Sequence, residues 1–193
     1  MLPLFYTRQF LMERWKAKKE LAARAMIYSA DNQLFSVDRV DSASLPTGRA
    51  TIAFECDLHQ GAESHKVFFG LMETESTGVS RSPGIGVSVD LQTGLVVDVV
   101  NDMGVLGYLE DAPTESDGPL HVKIEVETIG HVMIPRIIVG NDVILHPALY
   151  LEAHERLSAL VGTSLNPPGD TRFENTVLHP AGSSTPAQLT AAA

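Results

Sequence analysis

Glu55-Cys56-Asp57-Leu58-His59 places three side chains able to do chemistry at alternate positions. On an extended strand alternate residues point to one face, so Glu55, Asp57 and His59 share a side. Paired carboxyls on one face can divide the acid, base and nucleophile roles of glycoside hydrolysis, whose retaining form needs them about 5–5.5 Å apart. The plainer reading is the wet face of a half-buried strand. Ile52, Phe54, Cys56 and Leu58 alternate with these residues as its dry side.

Other candidates are thinner. His59 and His65 flank a glycine-containing turn, and His121, His131, His146 and His154 are scattered; Glu152-Ala153-His154-Glu155 lacks the second histidine of a zinc-protease helix. Oxygen ligands for calcium could come from Asp90, Asn101-Asp102 and Asn141-Asp142, although turn chemistry alone explains Asn and Asp there. Cys56 falls on an apolar face and reads as a small core residue. Gly84 to Val89 starts a strand with no helix after it, so it is not a dinucleotide loop. Gly86-Val87-Ser88-Val89-Asp90 lacks the second glycine of a nucleophile elbow. No catalytic residue, metal or cofactor is expected.

The elements that must position these groups follow from periodicity. Leu4 to Ala30 has no Gly or internal Pro, is rich in Ala, Leu, Lys and Arg, and predicts a helix. Its apolar side (Phe5, Phe10, Leu11, Trp15, Met26) and its basic side (Lys18, Lys19) suit a helix docking on a protein partner or another copy. A helix covering its own sandwich fits equally well. From Leu34 to Leu149 the period is two, as in Thr51–His59, Ile85–Gln92 and Leu120–Thr128. Gln92-Thr93-Gly94 reads as a hairpin turn. About nine short strands with no helix between them predict a two-sheet antiparallel sandwich. Tyr150 to Val161 is expected as a short helix, and residues 163–193 as an extended Pro/Gly/Ser/Ala-rich tail. The expected division is an arm at 1–31, a sandwich at 32–162 and that tail.

The formal net charge is −10, yet residues 1–24 carry +4, leaving −14 for the rest. An acidic body argues against nucleic acid as partner. The single cysteine forbids an internal disulfide and suits a reducing compartment or an assembly. No signal peptide or membrane span is expected, and the chain reads as soluble, cytoplasmic or part of a macromolecular assembly.

The stretch from Ala50 to Leu149 resembles the concanavalin A-like jelly-roll superfamily, in particular its laminin G-like members. Phe54-Glu55-Cys56-Asp57, Val67-Phe68-Phe69-Gly70, Gly84 to Gly94, Leu120 to Val126 and the hairpin Ile138 to Ile144 carry the resemblance. It implies a two-sheet antiparallel jelly-roll sandwich, expected here with the N-terminal helix and the extended C-terminal tail read from composition. Retaining glucanases of that superfamily have a Glu-x-Asp-x-Glu strand, whose outer acids are nucleophile and proton donor; His59 here replaces the donor. The leading expectation is a non-enzymatic subunit of a larger homo- or hetero-oligomeric assembly, such as a virion or shell, docking through its arms. The alternatives are a carbohydrate-binding, lectin-like module and a glycoside hydrolase using Glu55 and Asp57. Few aromatics (6%) weigh against the lectin.

Overall fold

The computed structural model describes residues 25–28, 34–44, 48–61, 66–72, 84–101, 103–111, 118–150, 156–165 and 171–182. They form β1 (Ala25–Tyr28), β2 (Leu34–Ser44), β3 (Arg49–His59), β4 (Lys66–Met72), β5 (Gly84–Asp90), β6 (Leu95–Asp98), β7 (Gly104–Tyr108), β8 (Leu120–Ile129), β9 (Val132–Val139), β10 (Asp142–Leu145), β11 (Leu149–Tyr150), β12 (Arg156–Ser164) and β13 (Arg172–His179). There is no helix among the described residues. The first sheet runs β1-β2-β12-β4-β5-β6-β7; the second runs β10-β9-β8-β3-β13, with β11 also on β9.

The alternation read from the sequence builds the layers. Ile52, Phe54, Cys56 and Leu58 of β3 and Val122, Ile124 and Val126 of β8 meet Val67, Phe69 and Leu71 of β4 and Ile85, Val87 and Val89 of β5 in one dry core. Burying each large apolar side chain contributes about 1.5–3 kcal/mol, so this layer holds the sheets together. Cys56 lies inside it, and burial, helped by the charges of Asp57 and Glu55, pushes its thiol up to about 12. The thiol is therefore neutral at pH 7. Native protein is expected to ignore a water-soluble aromatic disulfide reagent and to react once unfolded in urea. Stoichiometric labelling of the native chain would contradict that burial.

Three expectations are corrected. The predicted helix reached Ala30, but Ala25–Tyr28 are extended and pair with Val37–Leu34. Strand pairing along the β2 edge overrides helix propensity there. Met26 therefore lies in a strand, while Phe5, Phe10, Leu11, Trp15, Lys18 and Lys19 fall outside the described residues. The predicted helix from Tyr150 to Val161 is also absent, because Arg156–Ser164 form β12 between β2 and β4. Leu157 to Gly162 are buried without a break, so a strand covered on both faces shows no period of two. Finally, Arg172–His179, within the expected tail, are hydrogen-bonded to β3 as an edge strand. A bulge between Glu174 and Val177 interrupts its alternation, which hides it in the sequence. The sandwich thus takes in strands on both sides of residues 32–162.

Candidate functional site

The outer face of the second sheet collects the charged residues that alternate with its core. The register sets them in rows across β13, β3, β8 and β9. Glu174, Asp57 and His121 form one row; Val177, Glu55, Lys123 and Ile138 the next; His179, Ala53, Glu125 and Arg136 the third. Residues directly opposite on neighbouring strands are close enough for their side chains to interact.

Each acid of β3 is gripped from both sides. Asn175 Nδ2 donates to Asp57 Oδ2 at 2.7 Å, and His121 Nδ1 bonds Asp57 Oδ1 at 3.1 Å. Asn175 reaches it because the bulge sets its backbone at φ 49°, a left-handed conformation that Asn tolerates. His179 Nε2 lies 2.9 Å from Glu55 Oε1, and His121 Nε2 is 4.0 Å from Glu55 Oε2. The hydrogen bonds from Asn175 and then from His121 hold the Asp57 carboxyl below its ordinary range. It is an ionised acceptor. On β8, Glu125 lies 3.1 Å from Lys123 and 3.8 Å from Arg136 of β9.

Ala53 sits at the centre of this lattice. It belongs to the outward-facing set and lies outside the core cluster, yet it is only 7% exposed. Its cross-strand partners Glu125 and His179, and Glu55 two residues along the strand, carry longer polar side chains around this one small methyl group. At the far end of the same face Tyr150 is 68% exposed, with the His131 ring 5.9 Å away. Val132, Ile134, Val143 and Leu145 give that flank an apolar surface.

Glu55 and Asp57 do share one face, as their spacing predicts, but the sequence gives no sign of their partners. His121 lies 64 residues from Asp57, and His179 lies 124 residues from Glu55. His59 turns instead to Glu174, 3.3 Å away. Among the described residues no group of three or more His, Cys, Asp or Glu is placed to hold a metal ion. Asp90 caps its own turn by accepting from the amides of Gln92 and Thr93, and Asp142 accepts from that of Glu110.

No family model matches the chain, and no curated protein matches it. Solved structures do resemble it. A carbohydrate binding module, CBM66 from Bacillus subtilis, aligns at 15% identity and TM-score 0.45, over 81% of this chain and 91% of its own. A protein of unknown function with a galectin-like fold, also from Bacillus subtilis, aligns at 11% and 0.44, over 85% and 92%. The carbohydrate recognition domain of Emp46p, in potassium-bound form, aligns at 12% and 0.42, over 81% and 87%. At such identities and scores they carry nothing about the ligand of this chain, so function has to come from the site. Among the described residues no helix is long and apolar enough to cross a membrane.

Proposed function

We propose that this chain is a carbohydrate-binding, lectin-like module whose ligand lies across the outer face of the second sheet, over Ala53. The observation that carries this is the set of donors and acceptors that four strands bring together around the small Ala53 on this face. Sugar hydroxyls both donate and accept, so a site for them needs both kinds of group within one residue's reach. Glu55 and Glu125 supply charged acceptors, Lys123 and Arg136 charged donors, and His121 and His179 imidazoles. Charge-assisted hydrogen bonds are the stronger kind, and strand-borne, mutually bonded side chains lose little freedom on binding. Tyr150 adds an exposed ring on which an apolar sugar face can stack.

Hydrolysis by Glu55 and Asp57 is the weaker reading. A glycosidase acid must keep its proton near neutral pH, whereas Asp57 is held ionised. Assembly through the N-terminal arm rests on residues outside the described set. The test is a glycan array probed with the purified chain. Saturable binding to one class of oligosaccharide is expected, and uniform background across a broad array would overturn the proposal.

A further inference from the structure

Among the described residues, His121 is the one imidazole with a carboxylate at each ring nitrogen. Its Nδ1 lies 3.1 Å from Asp57 Oδ1, and its Nε2 lies 4.0 Å from Glu55 Oε2. A neutral imidazole carries one N–H, so it donates to one of these acids and turns a lone pair toward the other. The protonated ring carries two N–H groups and donates to both. The other oxygen of Glu55 is met by His179, whose Nε2 lies 2.9 Å from Oε1. The two imidazoles therefore set how much of the Glu55 carboxylate is left for another donor. Imidazole is also the side chain whose charge ordinarily changes between pH 5 and 8.

Strand order fixes the other charges around this group. On β3, Asp57 and His59 share the side of Glu55; on β8, Lys123 stands opposite Glu55 with Glu125 beyond it; β9 brings Arg136, and β13 brings Glu174 and His179. Lys123 and Arg136 lie 3.1 and 3.8 Å from Glu125, and His59 lies 3.3 Å from Glu174. These ion pairs leave His121 and His179 as the imidazoles that face Glu55. Both side chains are partly exposed, so protons reach them from solvent.

We infer that His121 and His179 make carbohydrate binding on this face pH-dependent, open at neutral pH and closed in mild acid. The inference rests on the lectin-like reading of the face and adds its regulation. At neutral pH the single proton of His121 serves Asp57, the nearer acid, and Glu55 Oε2 is free to accept from a sugar hydroxyl. In mild acid the charged ring bridges Asp57 and Glu55. Both oxygens of Glu55 are then held by charged donors from β8 and β13, and a hydroxyl has to displace a charge-assisted bond to reach them.

The test reads one glycan array with the full-length chain at pH 7.5 and at pH 5.5, both above the ordinary carboxyl range. Circular dichroism first shows the same fold at the two values. The protein concentration giving half-maximal spot intensity should rise about tenfold in acid, the worth of one hydrogen bond to a charged group. His121→Asn keeps a donor for Asp57 but takes up no proton, so it should bring that ratio close to one, whatever its affinity at neutral pH. His59→Asn, at a position tied to Glu174 instead, should keep the wild-type ratio. Equal half-saturation of wild type at both pH values would overturn the inference and leave the carbohydrate site standing. So would a wild-type ratio in His121→Asn. Absence of binding at either pH would remove the lectin-like reading and this inference together.

Discussion

Replacing Asp98 with alanine is expected to cost about 3–5 kcal/mol, the usual penalty for breaking a buried charged network from one side. Asp98 ends β6 at 1% exposure, and its carboxylate accepts from the amides of Val100, Asn101 and Met103 at 3.0–3.2 Å and from the Asn101 side chain at 3.4 Å. His146, 4% exposed, faces it with Nε2 3.7 Å from Oδ2, while its Nδ1 lies 2.7 Å from the Pro147 carbonyl. One carboxylate therefore shapes the turn after β6 and ties it to the connection between β10 and β11. Alanine would leave those donors buried without an acceptor. A fall in Tm of roughly 10 °C follows for a chain of this size. Asp90→Ala, which removes two turn bonds at an exposed corner, should cost about 1 kcal/mol and serves as control.

The same group gives a pH dependence of defined sign. Burial, the largest influence on the Asp98 carboxyl, pushes it up, but His146 and the amides of Asn101, Val100 and Met103 outweigh it and hold it below its ordinary value. A carboxyl that is a stronger acid when folded stabilises fully above its unfolded value, about 3.9, and loses that contribution as pH falls through the lower folded value. Urea midpoints should show wild type losing its advantage over Asp98→Ala below about pH 4. Parallel midpoint curves down to pH 2 would show that the network does not act this way.

The second large effect concerns binding. Ala53→Tyr sets a ring among these polar groups on the outer face, outside the core cluster, so stability should change little while ligand binding is abolished. Glu55→Gln keeps the shape but removes a charged acceptor and weakens the tie to His179. It should lower affinity by about 10- to 100-fold, the value of a hydrogen bond to a charged group. If Ala53→Tyr binds as wild type does and melts at the same temperature, the ligand lies elsewhere.

What the sequence discloses and hides has physical causes. Strands with one wet and one dry face, such as β3 and β8, announce themselves by alternation, and Glu55 and Asp57 could be put on one face by counting. β12 could not be read as a strand, because neighbours on both sides and cover on both faces leave it no polar row. β13 could not be read because its bulge resets the alternation and Pro/Gly-rich stretches flank it. The partners of the β3 acids were hidden for a related reason: His121 and His179 arrive through strand order and register, which local sequence does not encode. The polar side chains that gather around Ala53 are visible only once its partners on β8 and β13 are known.

The most direct test of the lectin-like reading is titration calorimetry of the wild-type chain and Ala53→Tyr with the best oligosaccharide from the array, the two proteins first shown to have equal Tm. Saturable heat from wild type and none from Ala53→Tyr is the expected result. Equal heats from both, or none from either at millimolar sugar, would contradict a carbohydrate site on this face.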